Sequence, residues 1–115
     1  MIIRNGERPR YSQEKMRGGE GIIEHIDLLP AELRPKCSRF FSVLTLNKGC
    51  EIGLHNHVGE SETYVVLSGE GVTFSDGKEE IIYPGDVSFT GFGDEHYTKN
   101  VKDDPLVVLA IVMND

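Results

Sequence analysis

Residues 49–69 read GCEIGLHNHVGESETYVVLSG. Glycines bound both ends, and the runs EIGLHNH and ETYVVLS flank a short Val58–Ser61 loop. Both runs read as strands. Residues two apart on a strand share a face, so His55 and His57 point one way and Asn56 the other. Glu62 opens the second run, where an adjacent antiparallel strand would bring its carboxylate to the same point. Two imidazoles and a carboxylate on one inner face suit a divalent transition metal. An HxH pair alone fits an exposed strand equally well. Glu62 at ligand spacing, the two glycine turns, and a third histidine, His96, behind its own glycine turn in GFGDEH favour the metal reading.

The chain around this segment keeps the same character. SRFFSVLTL (38–46) is rich in β-branched and aromatic residues and reads as a strand. GEGVTFS and KEEIIY flank Asp76-Gly77, which suits the positive φ angles of a type I′ hairpin turn. A short strand in PGDVSFTGFG, then EHYTKNV and PLVVLAIVM, complete the pattern. GIIEHI (21–26) can be a further short strand, and DLLPAEL (27–33) a helical turn or loop limited by Pro30 and Pro35. No helical period follows Pro35. About nine short strands at this spacing imply an all-β sandwich or barrel.

These residues resemble the cupin family. Its first motif, G-x5-H-x-H-x3,4-E-x6-G, is matched by Gly49, His55, His57, Glu62 and Gly69. Its second, G-x5-P-x-G-x2-H-x3-N, is matched by Gly85, Gly93, His96 and Asn100, with Gly91 where proline is usual. The resemblance implies a double-stranded β-helix, or jelly roll, with a barrel core over residues 38–113 inside a single cupin domain, 21–115. It also implies that His55, His57, Glu62 and His96 bind one divalent ion, manganese, iron, nickel or zinc. Two positions of an octahedral ion then stay open for water or a bidentate ligand, as an enzyme requires.

Two function classes follow. The first is a small metalloenzyme (a dioxygenase, decarboxylase or isomerase) acting on a small oxygen-rich molecule: a carboxylate, enediol or sugar. The second is a non-enzymatic module that binds such a ligand. Tyr64 and Thr98 are pocket candidates, because they share faces with Glu62 and His96. Asn100 is expected to fix its turn, His25 to sit at the surface or an interface, and the five phenylalanines to form core or pocket wall.

Composition narrows the partners. The chain has 12 Lys and Arg against 19 Asp and Glu, a net charge of −7, which repels phosphate backbones and disfavours nucleic acid. No run reaches the ~20 apolar residues of a membrane span. The N-terminus shows no signal peptide, so a cytoplasmic location is expected. Residues 1–20 are polar, with five cations in the first seventeen, and read as a mobile arm. Cys37 and Cys50 form no C-x-x-C motif and are expected to be reduced. Exposed sheet edges suggest a homodimer with residues 20–26 at or near the interface.

Overall fold

Alternating burial along the strands lets two sheets face each other across one core. The computed structural model describes residues 1–115. One sheet has six strands, in the order β1 (Arg10–Glu14), β2 (Ile22–Asp27), β3 (Ser38–Leu46), β10 (Leu106–Asn114), β5 (Glu60–Ser68) and β8 (Val87–Thr90). The other has four: β4 (Glu51–Asn56), β9 (Glu95–Lys99), β6 (Gly71–Ser75) and β7 (Lys78–Ile82). All pairings are antiparallel. The inner residues Ile23, Leu44, Leu46, Val66, Leu106 and Val108 of the larger sheet pack with Ile52 and Ile82 of the smaller. The hairpin between β6 and β7 turns on Asp76 (φ 55) and Gly77 (φ 78), the two left-handed positions that a type I′ turn demands.

Residues 1–20, expected to be mobile, are built into the fold from residue 10. β1 pairs with β2 from Arg10↔Ile26 to Glu14↔Ile22. Arg8 fastens the segment ahead of it, its Nε donating to the Asp27 carbonyl at 2.9 Å. Met16, in a 3-10 turn over Met16–Gly18, is buried in the core. Polarity misled here because β1 carries no buried residue and is held by backbone pairing.

His25 is a second correction. It lies on the inner face of β2 and is 1% exposed, stacked on Tyr11 at 4.5 Å and edge-on to Phe40 at 5.7 Å. The phenylalanines divide: Phe40 packs against the core, whereas Phe89 and Phe92 are exposed. Phe74 stacks on Tyr97 in the smaller sheet. Both cysteines are free, Cys50 buried and Cys37 exposed.

Candidate metal centre

The four expected ligands converge. One donor atom from each of His55, His57, Glu62 and His96 lies within 4.8 Å of the others. The route to this differs from the adjacent-strand expectation. β4 and β5 belong to different sheets, and β4 pairs with β9, so His55 stands directly across from His96. Glu62 approaches from the opposite sheet. His57 follows the end of β4 and is tied to the loop before β9 by two backbone bonds, His57 N–H to Asp94 O (3.1 Å) and Gly93 N–H to His57 O (2.8 Å).

Each ring is oriented through its Nδ1. His55 Nδ1 lies 2.7 Å from the Gly53 carbonyl, His57 Nδ1 2.9 Å from Glu60 Oε1, and His96 Nδ1 3.1 Å from Thr90 Oγ1. A carbonyl and a carboxylate only accept, so the first two Nδ1 atoms carry the protons and their Nε2 atoms present lone pairs. The three Nε2 atoms face inward: His96 to His57 at 3.1 Å and to His55 at 3.0 Å. Glu62 Oε1 lies 3.0 Å from His96 Nε2, 3.1 Å from His57 Nε2 and 3.6 Å from His55 Nε2. Lone pairs and a carboxylate at such separations repel unless a cation lies among them. The donor set therefore fits a divalent ion bound by three neutral imidazoles and one carboxylate.

Charge follows the same geometry. Burial would raise the Glu62 carboxyl, but the three imidazoles gathered around it outweigh burial and hold Glu62 far below the usual carboxylate range. Burial pushes His57 down; its bonds to Glu62 and Glu60 reverse this and raise it. Burial lowers His96. Glu60 is drawn down to about 2, chiefly by Arg39, whose Nε and Nη2 reach its two oxygens at 2.6 and 2.8 Å. Arg39, Glu60 and His57 thus form one chain ending at the centre. The sequence reading assigned no role to Arg39, Glu60 or Thr90. A period of two back from Glu62 points to Glu60, but Arg39 and Thr90 come from β3 and β8 and needed the pairing.

Tyr64 sits on the inner face of β5 beyond Glu62, its ring stacked 5.4 Å from that of His96. It is 1% exposed, and burial raises its phenol well above the ordinary value. Its hydroxyl makes no hydrogen bond, nor do buried Ser42 Oγ and the two His25 nitrogens. Ser42, Ala110 and Tyr64 occupy one cross-strand row, beside the row of Val112, Glu62 and Thr90. Thr98 is buried, but its hydroxyl is shared with Thr73 at 3.1 Å. Asn100 fixes its turn as expected, its Nδ2 donating to Leu46 O and Asp104 O at 2.9 Å each. At Gly91, where the resemblance expects proline, an added Cβ would lie 3.2 Å from Ser61 Cβ and from the Phe89 ring, a tight contact.

Comparison with known proteins agrees with this architecture. The family model described as "Cupin domain" matches residues 42–112. The chain is 38% identical over 113 residues to an "Oxalate-binding protein" of Thermotoga maritima, covering 98% of this chain and 93% of that one. A crystal structure of a predicted oxalate decarboxylase from Thermotoga maritima superposes with a TM-score of 0.92 at 37% identity, over 100% of both chains. A cupin-superfamily sugar phosphate isomerase from Silicibacter pomeroyi shares the fold, with a TM-score of 0.79 at 20% identity over 100% of this chain and 76% of that one.

Proposed function

Because the chain belongs to the cupin domain family, we propose that it binds a small oxygen-rich anion of the oxalate class at a single divalent ion held by His55, His57, Glu62 and His96. One observation carries the reading: three inward Nε2 atoms and a carboxylate oxygen crowd around one point that only a cation makes favourable. Manganese, iron, nickel and zinc all suit this donor set. A bound ion would supply positive charge for a chelating pair of ligand oxygens. The similar Thermotoga maritima protein, named for oxalate binding, supports a carboxylate over an enediol or sugar.

Turnover of the ligand by dioxygenation, decarboxylation or isomerisation is the second reading, and the two open positions of an octahedral ion favour it. The protein's own groups favour holding. Glu60 is locked as a carboxylate by Arg39, and Tyr64 resists ionisation, so neither sits near neutrality as a general acid or base should. The test is elemental analysis of untagged protein, then calorimetric titration of the metal-loaded form with oxalate. One bound ion and a ligand affinity that vanishes in His55→Ala and His96→Ala are expected. No bound metal, and no metal affinity tighter than about micromolar, overturns the reading. Product analysis after incubation with oxalate separates binding from turnover.

The same reading includes a homodimer. The outer face of the larger sheet is apolar across five strands, with Ile22, Phe41, Leu109, Ile111, Leu67 and Val87 among its partly or largely exposed residues. At ~4.8 Å between strands and ~3.3 Å per residue this face spans about 30 by 25 Å, close to the ~800 Å² per partner of a stable interface. A second copy would cover it, with Ile22 of the 20–26 segment at its edge. Sedimentation of a dimer at micromolar concentration that becomes monomeric in Ile111→Asp is expected. A monomeric wild-type protein refutes it.

A further inference from the structure

We propose that the hydroxyls of Tyr64 and Ser42 are the second anchor of the metal-bound anion, each donating to one of the oxygens that the ion leaves free. The inference rests on the metal–carboxylate reading above and names the side chains that fix the outer end of the ligand.

Orphaned polar atoms mark the place. Four buried side-chain atoms lack a hydrogen-bond partner: Tyr64 OH, Ser42 Oγ and both ring nitrogens of His25. All belong to residues on the inner face of the larger sheet, on β5, β3 and β2. A buried hydroxyl without a partner is costly, so several on one face point to a missing acceptor.

Strand register sets the two hydroxyls on either side of one small residue. Ser42 pairs with Ala110 across β3 and β10, and Ala110 pairs with Tyr64 across β10 and β5. The other inner residues of β10 are Leu106, Val108 and Val112, so its shortest side chain stands between the two hydroxyls. Ser42 and Tyr64 are two strand spacings apart, about 10 Å between Cα atoms. An anion lying over Ala110 has a hydroxyl-bearing residue on each flank.

This row adjoins the metal centre. Val112 and Glu62 form the next row on the same face, and the Tyr64 ring stacks on His96 at 5.4 Å. His55, His57 and His96 come from the β4–β9 side, and only Glu62 comes from the larger sheet. Ala110 and Val112 therefore face the donor set with short apolar side chains that supply no ligand, and a bound anion finds its room on that side. An oxalate that gives two oxygens to the ion keeps two directed away from it. Those oxygens only accept, and a serine and a tyrosine each have one hydroxyl proton to give. His25 is set apart. It pairs with Leu44 on β3 and stacks on Tyr11, at the end of the orphaned group farthest from β5.

Calorimetric titration of Mn(II)-loaded protein with oxalate tests this, with Ser42→Ala, Tyr64→Phe, the double variant and Ser38→Ala. Ser38 lies on the same face of β3, but its hydroxyl is committed to the Pro35 carbonyl at 2.7 Å. Loss of one hydrogen bond to a charged group predicts oxalate binding weaker by about tenfold in Ser42→Ala and in Tyr64→Phe, and by more in the double variant. Ser38→Ala is expected to bind oxalate like wild type, and Mn(II) affinity should be unchanged throughout. Without metal or oxalate, Ser42→Ala and Tyr64→Phe should melt no lower than wild type, because each deletes an orphan; hydroxyls that merely held the fold would lower the melting temperature. Oxalate affinity within twofold of wild type in either single variant, the result if ordered water alone meets these hydroxyls, overturns the proposal and leaves the carboxylate reading standing. An equal loss in Ser38→Ala does the same. Wild-type protein that takes up Mn(II) but not oxalate overturns both.

Discussion

Replacement of Glu60 tests whether the chain behind His57 matters to the centre. Glu60 accepts from His57 Nδ1 at 2.9 Å and from two Arg39 nitrogens, and its side chain is 15% exposed. A hydrogen bond to a charged group contributes about 1.5–3 kcal/mol when solvent does not compete strongly. At about 1.4 kcal/mol per factor of ten, its loss predicts metal affinity weaker by about 10- to 100-fold. Glu60→Ala leaves the ring without an acceptor and is expected near the upper end. Glu60→Gln keeps one carbonyl oxygen for the Nδ1 proton and loses the charge, so about tenfold is expected. Arg39→Ala leaves the His57–Glu60 bond in place and should cost less than either. Competition against a chelating indicator dye, with Zn(II) as the common probe, reads all three. An affinity within twofold of wild type for Glu60→Ala would falsify the claim that this carboxylate orients and strengthens His57.

Other expectations follow from the same geometry. Chelation of the ion should lower the melting temperature, because an ion at 100 times its Kd stabilises by about 2.7 kcal/mol, readable by calorimetry with and without EDTA. Metal affinity should fall on acidification, beginning near or above the ordinary histidine value, since the raised His57 is the first ring to bind a competing proton; an affinity flat from pH 8 to 5 contradicts this. His25 is buried and lowered, so the unfolded chain binds its proton more readily. Its contribution is present above about pH 6.5 and is lost as pH falls toward its lowered folded value; His25→Phe should remove that part of the slope in denaturation series at pH 5–7. Tyr64→Phe deletes a buried hydroxyl without a partner and should leave the protein as stable or more so, by up to about 1 kcal/mol in chemical denaturation. Gly53→Ala should cost about 1–3 kcal/mol in chemical denaturation, because its Cβ overlaps the backbone at Arg17.

What the sequence disclosed was local. Alternation put His55 and His57 on one side, and Asp76-Gly77 named its own turn, because both depend on neighbours within a few residues. The four ligands became legible through fixed spacing between two such local patterns. Partners set by distant pairing stayed hidden. Arg39 meets Glu60 because β3 and β5 both flank β10, and Thr90 meets His96 across the two sheets. Nothing in the spacing of Arg39 or Thr90 announces this. The N-terminal twenty residues were misjudged because hydrophobicity is the usual signal of order, whereas β1 is held by backbone bonds and by Arg8. His25 was misjudged because an imidazole can lie on an apolar face, stacked between Tyr11 and Phe40, without a hydrogen-bond partner.

The division of the ligands between sheets has a kinetic consequence. Three imidazoles belong to the β4–β9 side and Glu62 to β5, so the full donor set does not exist until the two sheets have closed on each other. Closure joins segments far apart in the chain, which is the slow kind of event in an all-β protein. High-affinity metal uptake would then lag behind strand formation during refolding and time the docking of the sheets. The ion would be chosen by a finished barrel, in whatever compartment the barrel finishes, rather than by the nascent chain.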